Sequence, residues 1–224
     1  MNGILVIDKP PGFTSHDIVD IIRRKTGEKK VGHGGTLDPM ATGVLVIMLG
    51  GSTKLASSFL NDGKEYLATL KLGIKTSTDD SSGDVIETRA VGDIAREVID
   101  AAFQKFLGYI DQTPPMVSAV RHKGRKLYEL ARKGITVERE PRRICIHKLE
   151  IRRVSLPDID FFVSCSKGTY IRTLCDDIGS RLGTGGHMSS LRRVRSGDYG
   201  IEDAVALDEF IHAGTRYESY IRNT

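Results

Sequence analysis

Asp38 is the residue whose setting most suggests chemistry. It stands before Pro39 in the run Gly32-His-Gly-Gly-Thr-Leu-Asp-Pro-Met-Ala-Thr-Gly43, where four glycines and a proline leave little room for a regular element. A residue before proline is pushed toward extended backbone. Gly34 and Gly35 let a second molecule come close, so the carboxylate can face a bulky substrate. Asp-Pro pairs also open ordinary turns, with the side chain bonded to its own backbone. Spacing alone therefore leaves both a nucleophile seat and a plain turn open. Other chemistry loses support: the chain has no phosphate-binding G-x-x-x-x-G-K-[ST], no G-x-S-x-G and no HExxH, and Gly32-x-Gly34 lacks a third glycine. The three cysteines, Cys145, Cys165 and Cys175, are too few and too scattered for a disulfide framework or a zinc site.

The flanking segments must hold that loop. Residues 4–7 are apolar and stop at Lys9-Pro10-Pro11-Gly12, which predicts a strand ended by prolines. A helix follows, capped by Thr14 or Ser15, striped by Ile18, Ile21 and Ile22, and stopped near Gly27. Residues 44–49 are continuously apolar and rich in β-branched side chains, as expected of a strand buried on both faces. The loop is thus expected to be mounted on a central strand. Downstream, strands are predicted over 65–72, 142–154 and 158–166, and helices over 93–107, 169–182 and 207–212. The helix over 93–107 is expected to bury Ile94, Val98, Ala102 and Phe106.

With 224 residues, 39% hydrophobic and 28% charged, the chain has the makings of one large globular domain and excludes disordered and fibrous classes. Its net charge of +4 is small, but the sign is unevenly spread. Residues 121–153 carry 12 Lys or Arg against 4 Glu, whereas residues 76–100 carry 7 acids against 2 Arg. A local basic segment of this kind suits phosphate contacts. No stretch reaches the length of a membrane helix and the start lacks a signal-peptide pattern, so a cytoplasmic location is expected.

The Gly32 to Gly43 run resembles the catalytic motif of the TruB family, the tRNA pseudouridine-55 synthases. Further matches follow in order: Leu5-Val-Ile-Asp-Lys-Pro10, Lys64-Glu-Tyr66, Tyr128-Glu-Leu-Ala-Arg-Lys-Gly134, Ser166-Lys-Gly-Thr-Tyr-Ile-Arg-Thr173 and Leu191-Arg-Arg193. The resemblance implies an α+β pseudouridine synthase fold: a mixed, mostly antiparallel sheet flanked by helices, with a central active-site cleft. It implies isomerisation of the T-loop uridine of tRNA without cofactor or metal, by a monomeric enzyme whose partner is the tRNA T-stem-loop. A catalytically silent RNA-binding or tRNA-folding module is the competing reading. Asp38, Tyr66 and Arg172 together argue against it, since binding alone needs no carboxylate in a phosphate-rich site.

By the same resemblance Asp38 is the nucleophile, attacking C1′ of the ribose or C6 of the base. Tyr66 packs on the target base and is a candidate for moving a proton, and Arg172 pairs with the aspartate. His33 is expected to enter the RNA loop once the target base leaves the stack. Tyr170 and Leu191 are expected to wall the pocket, and Lys9 with Pro10 to support the catalytic loop. A basic, thumb-like insertion around 114–143 is expected to close on RNA through Lys123, Arg125 and Lys126. Two departures stand out. Gly34 occupies a place where many members have Thr or Ser, and the 224 residues are expected to form one catalytic domain without a full C-terminal PUA-type domain.

Overall fold

The computed structural model describes residues 1–223 and divides into two compact units, residues 1–67 with 191–224, and residues 68–190. The chain opens with strand β1 (Gly3–Lys9) and helix α1 (Ser15–Thr26). Thr14 caps α1 by a reciprocal bond with Asp17, and Gly27 ends it in a left-handed conformation. Next come β2 (Val31–His33), β3 (Thr42–Leu49), a 3-10 turn, helix α2 (Ala56–Asn61) and strand β4 (Lys64–Leu72), which runs on into the second unit.

The second unit continues with the hairpin β5 (Ile74–Thr76) and β6 (Val85–Thr88), helix α3 (Arg96–Gln104) and strand β7 (Gly108–Gln112). A small hairpin, β8 (Arg121–His122) with β9 (Arg125–Lys126), leads into helix α4 (Leu127–Ala131). Two long strands follow, β10 (Arg142–Ser155) and β11 (Asp158–Cys165), then helix α5 (Ile171–Arg181). Strand β12 (Gly186–Ser196) carries the chain back to the first unit, which closes with β13 (Tyr199–Gly200), β14 (Val205–Ala206) and α6 (Leu207–His212).

In the first unit the strand order is β14-β1-β3-β12, with β2 also on β3. β1 and β3 run antiparallel in full register, Gly3 opposite Leu49 and Lys9 opposite Gly43. The outer pairs, β1 with β14 and β3 with β12, are parallel. Both residue sets of β1 and β3 are buried: Ile4, Val6, Val44, Val46 and Met48 form one cluster with Phe59 and Tyr199 against it, and Leu5, Ile7, Leu45 and Ile47 are as deeply covered. That double burial is what the unbroken apolar run of β3 demands.

In the second unit the order β4-β11-β10-β7 is carried by antiparallel pairs of β10 with β11 and β7. Phe161 of β11 meets Phe103 of α3 edge-on at 5.5 Å between ring centres. Helix α3 differs from its expected form. It begins after Ala95, so Ile94 lies outside it, and it buries Ile99, Ala102 and Phe103 while Val98 is 53% exposed. Two overlapping apolar stripes were available, and the one that seats Phe103 on Phe161 prevails.

Candidate active site

The loop that carries Asp38 is tied down along its length. β2 pairs with β3, His33 opposite Ile47, and the Gly34 amide donates to the Val46 carbonyl at 2.9 Å. The expected loop over 31–43 is therefore shorter than its glycine content suggested. Its first three residues are strand, because β3 leaves a ladder edge open to them. Beyond Gly35 the Ser15 hydroxyl, at the start of α1, accepts from the Leu37 amide at 2.8 Å and donates to the Leu37 carbonyl at 3.2 Å. The Asp38 carbonyl accepts from the Ala41 amide at 3.0 Å, closing a tight turn through Pro39. The Pro39 carbonyl receives the Gly12 amide at 2.9 Å and the Lys9 ammonium at 3.1 Å.

Lys9 is wholly buried and also donates to the carbonyls of Pro10 and Phe13, each at 2.8 Å. Burial pulls its pKa down to about 8; the Asp38 carboxylate counters part of this and the Arg193 guanidinium adds to it. The Lys9 ammonium thus bonds backbone on both sides of the loop's exit, Pro10 and Phe13 on one and Pro39 on the other.

Arg193 is the site residue that sequence reasoning left unused, although the matched Leu191-Arg-Arg193 contains it. Alternation along β12 turns Leu191 and Arg193 inward and leaves Arg192 outside, where it forms a two-pronged ion pair with Asp8. Arg193 is 1% exposed and its guanidinium donates to the carbonyls of Val44 (2.7 Å), Thr36 (3.3 Å) and Gly35 (3.1 Å). Burial lowers its pKa, and the Tyr66 hydroxyl, a hydrogen-bond partner, and the Asp38 carboxylate push it back up. The close approach needs Gly43, which sits opposite Arg193 at φ +99°, where a Cβ would lie 2.1 Å from the Arg193 carbonyl oxygen.

Tyr66, near the start of β4, is buried to 9% exposure. His33 is half-buried and its Nδ1 accepts from the Gly35 amide at 3.3 Å, which leaves the proton on Nε2. Its pKa is lowered, chiefly by burial and then by Arg193, so the ring is neutral at physiological pH. The first unit therefore assembles Lys9, His33, Asp38 and Tyr66 around one buried arginine, with Leu191 in the wall of β12 at 8% exposure.

The second unit holds the other predicted residues. Arg172, in the first turn of α5, is 4% exposed rather than solvated. It donates to the carbonyls of Thr78 (3.2 Å) and Val117 (2.8 Å), and its Nε lies 3.7 Å from the Asp80 carboxylate. Asp80 is itself buried and accepts from Thr78, Ser82 and the Ser82 amide, so the arginine rests on a structured anion. Tyr170 caps α5, and the buried Gln112 side chain clamps its amide and carbonyl at 2.8 and 3.0 Å. Nearby, Asp177 is pushed up to about 6 and Asp79 is also raised, both chiefly by burial and then by the neighbouring Asp176. The Cys175 thiol is fully buried and driven upward, which makes it unreactive.

Comparison with known proteins now bears on the whole chain. The model of the TruB family pseudouridylate synthase N-terminal domain matches residues 23–171, and that of the tRNA pseudouridylate synthase B C-terminal domain matches residues 172–224. The tRNA pseudouridine synthase B of Clostridium tetani is 50% identical over 209 residues, 93% of this chain and 72% of that protein. The chain belongs to the TruB family of pseudouridylate synthases. A second relative, from Opitutus terrae, is 44% identical over 93% of this chain and 86% of its own length. Among solved structures, one of a Cbf5-Nop10-Gar1 complex overlays with a TM-score of 0.76 at 33% identity; it covers 98% of this chain, which spans 57% of that chain. A structure of an H/ACA RNP bound to a substrate RNA gives 0.72 at 31% identity.

In this TruB-family chain Gly34 has no room for a side chain. A Cβ there would stand 2.7 Å from the Cβ of Phe59, whose ring packs on the β1–β3 cluster and on Tyr199 at 5.9 Å. The basic insertion folds as a compact hairpin and helix. Lys123 at φ +47° and Gly124 at φ +84° form the two-residue turn between β8 and β9. Lys123 and Arg125 are exposed, whereas the Lys126 ammonium lies 5.4 Å from the centre of the Tyr128 ring, with Arg132 at the same distance. Leu127 and Leu130 anchor α4 in the interior. No helix among the described residues is long and apolar enough to cross a membrane.

Proposed function

We infer that this enzyme converts the T-loop uridine of tRNA, position 55, to pseudouridine, with Asp38 as its nucleophile. The observation that carries the reading is the fixed seat of Asp38, held on the α1 side by Ser15, at its exit by Lys9, and on the β12 side by Arg193 through Gly35 and Thr36. A carboxylate in such a loop is aimed before substrate arrives, and its adduct can collapse because carboxylate leaves readily. The reaction breaks the N1–C1′ bond, turns the uracil, and joins C5 to C1′; N1 gains a proton and C5 loses one. Tyr66 packs on the base and moves a proton, and Arg172 keeps the aspartate ionised and aimed.

A stacked base is out of reach of Asp38, so the uridine must flip out, at a cost of a few kcal/mol. His33 fills the opened RNA loop. Phosphate contacts from Lys123, Arg125 and Lys126 on the thumb-like insertion over 114–143 offset that cost. Tyr170 and Leu191 wall the pocket. The enzyme acts as a cytoplasmic monomer without metal or cofactor.

Tritium release from 5-tritiated uridine in a tRNA transcript tests the reading. Wild type should release tritium, and Asp38→Asn should bind the RNA without releasing it. Equal release by both would remove the nucleophile assignment. Carbodiimide mapping should give one stop, at the T-loop uridine, and a stop elsewhere would refute the substrate.

A further inference from the structure

Gln112, 2% exposed at the end of β7, grips one residue twice and has no part in the steps above. Alternation along β7 turns Ile110 and Gln112 inward and leaves Tyr109 and Asp111 outside. The Gln112 Oε1 accepts from the Tyr170 amide at 2.8 Å and its Nε2 donates to the Tyr170 carbonyl at 3.0 Å, 58 residues along the chain. The same carbonyl takes the Leu174 amide at 3.1 Å, so the clamp and the opening bond of α5 meet on one atom. A carboxamide suits this grip because one of its ends accepts and the other donates. A carboxylate would set a lone pair against the Tyr170 carbonyl.

Gln112 is also where the basic insertion begins. It stands opposite Arg142 in the β7–β10 ladder, so the insertion leaves and rejoins the sheet at one residue pair. Buried Pro114 and Pro115 stiffen the entry, and the Arg139 guanidinium donates to the Pro114 carbonyl at 3.0 Å, tying exit to entry. Further along the entry, the Val117 carbonyl accepts from Arg172 at 2.8 Å. One short stretch thus holds both the backbone of Tyr170 and the guanidinium of Arg172. We infer that Gln112 is a positioning residue that fixes Tyr170 and the first turn of α5 and joins them to the entry of the insertion, so that the pocket wall is set before the uridine arrives. The inference rests on the roles proposed above for Tyr170 and Arg172. A misplacement of about 1 Å at such a wall costs about 100-fold in rate.

Amide hydrogen exchange in the protein without RNA tests the clamp. Gln112→Met fills similar space with neither donor nor acceptor, so the Tyr170 amide should exchange faster by about tenfold or more while the amides of β3 keep their protection. Unchanged exchange at Tyr170 overturns the inference. In pseudouridine formation the same variant should lower kcat by about 10- to 100-fold with KM within about threefold. A space-filling role would leave kcat at its wild-type value; that result, or a loss confined to KM, overturns the inference. Should Gln112→Met fail to fold, the wild type supplies the measurement. A scalar coupling across the hydrogen bond, from the Tyr170 amide nitrogen to the Gln112 side-chain carbonyl carbon, should be seen, and its absence overturns the inference. Exchange and coupling need no RNA, so a wild type that forms no pseudouridine would refute the proposed function and leave the Gln112 result readable.

Discussion

Replacing Lys9 by methionine probes the loop's anchor through pH. The wholly buried ammonium has a pKa of about 8 against an ordinary value of 10.5, burial outweighing the attraction of Asp38 and Asp17, with Arg193 adding to the fall. The gap corresponds to about 3 kcal/mol. At pH 7 both folded and unfolded chains hold the proton, so the burial penalty is fully present. Between about pH 8 and pH 10.5 the unfolded chain keeps a proton that the folded one has lost, and stability from this group rises with pH. The rise should reach about 1 kcal/mol at pH 9 and about 2–3 kcal/mol at pH 10. Lys9→Met lacks this rise, leaves the carbonyls of Pro10 and Phe13 without the ammonium, and leaves that of Pro39 with the Gly12 amide alone, each lost bond worth about 1–2 kcal/mol. Net of the relieved charge burial, the variant should be about 1–2 kcal/mol less stable at pH 7. Urea unfolding of both proteins at pH 7, 9 and 10 measures the difference. A gap that widens with pH fits the argument; a constant gap, or one that narrows, refutes the buried ammonium with a depressed pKa.

Three other perturbations follow from the geometry. Alanine at Lys123, Arg125 and Lys126 should weaken tRNA binding and reduce the slope of log K against log salt by about 2–3, less if Lys126 stays on Tyr128; an unchanged slope would remove the thumb contacts. Arg172→Lys loses the fork whose Nη1 serves Thr78 and Nη2 serves Val117 and should slow pseudouridine formation by about 100-fold in single-turnover assays, whereas near-normal kinetics would contradict its aiming role. Gly34→Ser should cost about 1–3 kcal/mol by urea unfolding because its Cβ meets Phe59, and clearly less in a Phe59→Ala background; equal costs would clear Phe59 of the clash.

Much of the chain was legible where neighbours in sequence decide. The capping pair Thr14 and Asp17, the stop at Gly27 and the buried run of β3 follow from local hydrogen bonds and unbroken apolarity. Helix α6 lies over Leu207–His212, where its pattern puts it. Local signals failed where two readings shared one pattern. Helix α3 offered two apolar stripes, and only its packing on Phe161 selects Phe103 over Val98. The glycines over 31–43 read as loop, yet a free ladder edge on β3 drew Val31–His33 into the sheet.

Residue types and their order, by themselves, determined the family, the candidate aspartate with its tyrosine and arginine, and the basic segment that suits RNA, because chemistry and motif spacing are written along the chain. Tertiary structure alone decided which charges are buried. Lys9, Arg172 and Arg193 carry charges that a sequence places by default in water, and removing them from water is tolerable only where several fixed acceptors meet them. Those acceptors are main-chain carbonyls of Phe13, Pro39, Thr78, Val117, Gly35, Thr36 and Val44, groups that every residue type bears and no sequence pattern marks. The opening of the site to Arg193 likewise depends on Gly43 letting β12 lie against β3, a contact that exists only once the strands have paired.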